Sequence, residues 1–318
     1  MLSLKLPRLF SINQVPKVFH EHSIIFGYRH PRSTATDCLF SLFQLTNETV
    51  NIWTHFLPTW YFLWNLLALS YTLDFWNEAY TWPFLVYMLS SCIYPFTSSC
   101  AHTFSSMSTR ARHICFYFDY GALSLYSLGS ATVYAAYIMP DRWINTPFHK
   151  WFVTIAVFNT IICTVLSCYS RSPELDHPNL SKVVRIVAFA YPYLFDNIPL
   201  FYRLFLCSGE GCAHNETIPI HYRHVALAFL TCFLFATHLP ERLAPGRFDY
   251  IASLTPHPVS LRLEKVSLIR QPKGEVMGED HGTGYEQRLF AHRIGKVKQI
   301  KAQKTEIAGE TQQLWQHQ

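Results

Sequence analysis

PFLVYMLSSCIYPFTSSCAHTFSSMSTRARHICFYFDYGALSLYSLGSATVYAAYI, residues 83–138, decides the fold. Two apolar stretches, 83–105 and 114–138, are separated by the short basic segment SMSTRARH, and their only acidic or basic residue with a full charge is Asp119. A helix needs about 20 apolar residues to cross the hydrocarbon layer of a bilayer. Both stretches meet that length. Working outward, residues 51–73, 151–169, 183–206 and 223–239 have the same character, each bounded by charge, proline or a polar cluster. Short connections between them predict one bundle. The expected fold is therefore all-α, a polytopic transmembrane bundle of six helices spanning residues 51–251. A cytoplasmic N-terminal region (1–50) precedes it, and a polar, disordered cytoplasmic tail (252–318) follows.

Composition agrees with this reading. Of the 318 residues, 50% are hydrophobic and 15% charged, against about a quarter charged in soluble proteins. Trp53, Trp60, Trp64, Trp82 and Trp151 fall at or near proposed helix ends, where interfacial rings belong. A net charge of +5 with no basic run interleaved with aromatics excludes nucleic acid as a partner. Lys and Arg gather in segments 1–50, 106–113, 170–182 and 240–250, which predicts a cytoplasmic N-terminus. In that orientation the sequon at Asn215 faces outward and is the candidate glycosylation site, whereas Asn47 and Asn179 face inward. The cysteines contain no CxxC pair; six lie in apolar stretches as packing residues, and Cys207 and Cys212 bracket an outer loop where they are spaced to pair.

Ionisable and polar groups inside membrane helices are costly, and so are functional candidates. Ser98 and His102 lie four residues apart, on one helical face, at the inner end of their helix. Asp119 enters from the same side on the next helix, so the imidazole and carboxylate should lie at similar depth. Either they form a metal or polar centre or they are a hydrogen-bonded pair fixing two helices. Asp196 sits between Pro192 and Pro199, either lining a ligand cavity or bonded to a neighbouring helix. Asn159 reads as interhelical glue. His55 and His238 read as solvated imidazoles at helix ends. TNETVNIWTH, residues 46–55, is dense enough in polar groups to suggest a network closing the cytoplasmic mouth.

These residues resemble the progestin and adipoQ receptor family. The likeness lies in Gly27 to Arg29, Asn47 to His55, Ser98 with His102, Asp119, and Pro240 to Asp249, and it covers residues 1–251. It implies a bundle of seven or eight helices, of which six are retained here, in the cell membrane. It implies a zinc ion held by His102, Asp119 and an H-x-x-x-H pair further on. It also implies binding of progesterone-like steroids and membrane lipid, rapid non-nuclear signalling and G-protein partners. A ceramidase-like, zinc-dependent amide hydrolysis is the enzymatic alternative. After Ile251 the chain reads ASLTPHPVSL with no H-x-x-x-H, so the expected zinc site is partial and hydrolase activity disfavoured. The same departure suggests a truncated isoform that forms homo-oligomers or modulates full-length receptor, with His102, Asp119 and Asp196 open to lipid or a partner.

Overall fold

A computed structural model describes residues 6–21, 23–171, 178–207, 218–239 and 241–250. The tail 252–318, Asn215 and Cys212 lie outside these residues. Within them the protein is helical, with one isolated bridge between Phe10 and Tyr28 and no strand. The helices are α1 (Ala35–Phe40), α2 (Thr49–Ser70), α3 (Trp82–Phe104), α4 (Thr109–Val133), α5 (Pro147–Tyr169), α6 (Pro178–Asp196), α7 (Ile198–Phe201) and α8 (Ile218–Thr237).

Local chemistry sets these limits. Thr34, Ser108 and Thr146 cap α1, α4 and α5 by accepting from the backbone N–H three residues on. Pro83 and Pro147 occupy first turns, where a missing N–H costs nothing. The predicted stretch 183–206 is broken into α6, α7 and a π-helical turn at Tyr202–Leu206. The break falls at Asn197, ahead of Pro199, whose ring has no N–H to give the carbonyl four residues back, at Phe195, and crowds it. Helix α4 likewise ends in a π-helical turn at Tyr134–Ile138.

Neighbouring helices pack in chain order, α2 on α3, α3 on α4, α4 on α5 and α5 on α6, with α3 against α4 the most extensive pairing. Gly129 permits that approach: a Cβ there would sit 2.2 Å from Ser90 Oγ and 3.3 Å from the Tyr87 backbone. The main core combines Phe62, Phe84, Tyr87, Met88, Tyr94, Tyr126 and Leu200. Many of its neighbours are small and polar, including the buried Ser90, Ser91, Ser98, Ser124 and Ser130. The outer surface is the reverse. Trp60 and Trp64 of α2, and Trp151, Phe158, Ile161 and Val165 of α5, are each more than half exposed. So large an apolar surface is rare on a water-soluble monomer. Among the described residues two stretches, Ala79–Phe104 and Pro147–Tyr169, are long and apolar enough to cross a membrane on composition alone.

The N-terminal segment is folded onto one end of the bundle, here termed the basal end. Val15, Phe19, Ile24 and Tyr28 make a small second core, with Phe248 packed against it. Gly27 has a φ of +90°, and a Cβ would lie 2.9 Å from the Asn47 nitrogen, so glycine is required where this segment turns into the mouth.

Candidate functional site

At the basal end the last carbonyls of α3 need partners outside the helix. Arg29 supplies them. Its guanidinium donates to Thr103 O at 2.5 Å and His102 O at 2.6 Å, and reaches the Ser41 and Ser105 hydroxyls at 3.3 Å each. A cation at a helix C-terminus is also favoured by the helix dipole. Arg29 is 6% exposed, so this charge is removed from water.

Its counter-charge is Glu48, the residue that precedes α2. Glu48 Oε2 lies 2.8 Å from His102 Nδ1 and accepts from Asn51 Nδ2 at 3.0 Å. Burial alone would raise the Glu48 carboxyl, but His102, Arg29 and Arg112 outweigh it and hold the group well below the usual carboxylate range. His55 Nδ1 donates to the Asn51 carbonyl at 2.6 Å, and its ring centroid is 6.2 Å from that of His102. The His55 side chain is fully buried, which corrects its reading as a solvated boundary imidazole. One helical turn separates it from Asn51, and this i, i+4 bond engages its Nδ1 inside the bundle.

Two further contacts seal the mouth. Arg112, at the start of α4, pairs with Glu21 of the N-terminal segment. Asp249, distant in sequence, accepts from the backbone N–H groups of Ile25 at 3.1 Å and Phe26 at 2.8 Å. Blocks of the chain far apart in sequence thus meet at one place.

His102 projects into this centre with its Nδ1 engaged by Glu48, an arrangement in which a metal would meet Nε2; a carboxylate on the far nitrogen is the usual support for a ligating histidine. Phe116 of α4 meets the His102 ring edge-on at 5.5 Å, and Asp119, one turn further along, is 8% exposed and close enough for its charge to act on His102. Ser98 Oγ, one turn before His102, is fully buried with no hydrogen-bond partner among the described residues. The donor types suit zinc, but no group of three or more His, Cys, Asp or Glu among the described residues is arranged to hold a metal. Two ligands do not complete a four-coordinate site.

Asp196 lies elsewhere. It ends α6, is 3% exposed, and accepts from Ser127 Oγ of α4, so one of its carboxylate oxygens is bonded to a neighbouring helix. Side-chain exposure of His102 is 12%. His102, Asp119 and Asp196 are therefore covered, against the expectation that they lie open to lipid or a partner; α2, α4 and the N-terminal segment enclose the first two. Asn159 is buried on α5, and its amide nitrogen has no partner among the described residues, so the geometry gives no interhelical bond for it. His238 is half-buried and faces Glu241 at 3.6 Å. Cys207 is disulfide-bonded.

Sequence reasoning placed Glu48 in a polar network without a partner and missed the capping role of Arg29 and the clasp made by Asp249. Only a buried arginine's need for acceptors hinted at the first. Nothing local signals the last.

A helical bundle with an apolar outer surface and one buried, charged centre at its basal end defines the class. Comparison with known proteins makes the assignment specific. Residues 43–254 match the family described as Haemolysin-III related. Membrane progestin receptor gamma-B of Danio rerio is 65% identical over 267 residues, covering 79% of this chain and 77% of its own length. The human membrane progestin receptors gamma and delta are 61% and 63% identical, each across 79% of this chain and 76% and 74% of their own. The chain belongs to the haemolysin-III related family, that of the progestin and adipoQ receptors.

Proposed function

We propose that this chain is a multi-pass membrane receptor for progesterone-like steroids, with six crossings, a cytoplasmic basal end and rapid signalling through G proteins. The observation that carries this is the identity of 59–65% to relatives named membrane progestin receptor gamma. The apolar outer faces of α2 and α5 support the membrane setting. The steroid site in this reading is the apolar groove of about 390 Å³ between α3, α4 and α5, lined by Trp82, Val86, Thr132, Ala136, His149 and Val153. The groove is open along one side and almost wholly apolar, which suits the ring system of a steroid lying against the bundle. Membranes from cells expressing the chain should bind progesterone saturably. Ala136→Trp, which fills the groove, should abolish binding at unchanged expression. Absence of saturable binding by the unaltered chain would overturn the reading.

A zinc-dependent amide hydrolase is the second reading, favoured by the Glu48–His102 pair. We infer that His102 and Asp119 hold zinc weakly, with water in the remaining positions. Zinc would supply a Lewis acid; Glu48 orients the imidazole, and Ser98 adds a buried hydroxyl. Ceramide turnover abolished by His102→Ala would support hydrolysis, and turnover unaffected by it would exclude this site.

A further inference from the structure

Beside the charged centre lies a second basal cluster that the reading above does not use. Arg171, just past the end of α5, places its guanidinium 3.7 Å from the centroid of the Phe116 ring and donates to Tyr120 Oη at 3.2 Å. Arg185, on the second turn of α6, lies 5.8 Å over the ring of the same Tyr120. It reaches only hydroxyls, Ser170 Oγ at 3.3 Å and Ser181 Oγ at 3.4 Å. Neither arginine forms an ion pair among the described residues. Arg171 Nε is buried with no hydrogen-bond partner among the described residues, as is His113 Nδ1 near the start of α4. His113 is near enough to Arg171 and Arg112 to feel both charges.

Two guanidinium groups sharing one phenol ring repel each other, and at Arg171, whose Nε is buried with no acceptor among the described residues, burial is offset only by the Tyr120 hydroxyl and by carboxylates beyond ion-pair contact. The neighbouring arginines differ. Arg112 has Glu21, and Arg29 has Glu48 and the α3 carbonyls. Glu21 and Glu48 act on Arg171 only from a distance beyond ion-pair contact. The missing component is an anion with several acceptor oxygens, which is what a planar guanidinium fork recognises best.

We propose that Arg171 and Arg185, with Tyr120 between them, form a binding site for a phosphate group. In the membrane orientation argued above this cluster lies at the cytoplasmic leaflet, where anionic lipid headgroups meet basic pockets between helices. The phosphate is that of an inner-leaflet lipid. A soluble phosphate is the other source of the same chemistry.

The test uses the purified full chain in phosphatidylcholine nanodiscs, titrated calorimetrically with dioctanoyl phosphatidic acid and, separately, with inorganic phosphate. Saturable binding of the lipid is expected, weakened at least tenfold by Arg171→Gln and by Arg185→Gln. Arg142→Gln, on the opposite side of the bundle, should leave it unchanged. Arg171→Lys, which keeps the charge and loses the fork, should fall between. Arg185→Gln carries the test if Arg171→Gln fails to fold, because Arg185 is half-buried and its hydrogen bonds among the described residues go to two hydroxyls. Inorganic phosphate binding as tightly as the lipid would retain the phosphate site and overturn the lipid as its source. Binding that is absent in the unaltered chain, or unchanged in Arg185→Gln and Arg171→Lys, would overturn the site itself.

Discussion

Each end of the bundle closes a helix terminus with an arginine, yet the two ends are built differently. At the basal end Arg29 caps α3 and sits among Glu48, His102 and Ser41, all withdrawn from water. At the opposite end Arg203, in the π-helical turn after α7, donates to Ile138 O at 2.7 Å and Met139 O at 3.1 Å, where α4 finishes. Its ion-pair partner there is Asp141 at 3.6 Å, with 58% of that side chain exposed. The same residue type does the same geometric task in two dielectrics. Where water reaches the pair, loss of either member is partly made good by hydration; where it does not, the partner is left as an uncompensated charge.

The sharpest way to break this contrast is Arg29→Gln. It leaves two α3 carbonyls without their buried donor and removes one of the charges that offset Glu48, and should lower stability by about 3–5 kcal/mol. Thermal unfolding in detergent micelles measures it, and a loss smaller than that of Arg203→Gln would end the distinction. Glu48→Gln probes the centre through the zinc proposed above. Zinc retained by the purified protein should fall about 10–100-fold in affinity, because the imidazole loses the carboxylate that orients it. Zinc binding unaltered by this change would separate His102 from any metal role. Asp249→Asn should cost about 1–3 kcal/mol by weakening two charge-assisted bonds. Hydrogen exchange would register it as faster exchange at Ile25 and Phe26, with the α3–α4 pair unaffected. Smallest is Asp141→Asn at the opposite end, an exposed pair expected to contribute under about 1 kcal/mol. A larger shift in unfolding temperature would mean that this end is not as well hydrated as its exposure implies.

The helices were legible because apolar length and flanking charge mark them locally. The six stretches coincide with α2 to α8 within a few residues, and even the interruption near Asp196 was foreshadowed by Pro192 and Pro199. The charged centre was half legible. His102, Asp119 and Ser98 stand out as polar groups in apolar surroundings, and the density of residues 46–55 announces a network. What periodicity does not encode is pairing across long sequence separation. Arg29 reaches residues 102 and 103, and Asp249 reaches residues 25 and 26, contacts set by how the N-terminal segment folds back over the bundle. His55 was misplaced for a related reason: a boundary position along the helix axis says nothing about which way the residue faces, and its face is turned inward.

Gly129 carries a consequence for how such a molecule transmits a stimulus. With α3 and α4 seated backbone against side chain at that point, there is no clearance for one to slide or roll past the other. The hairpin that bears His102 and Asp119 therefore acts as a stator. Under the receptor reading proposed above, movement between the two ends of the bundle falls to the helices packed around this pair.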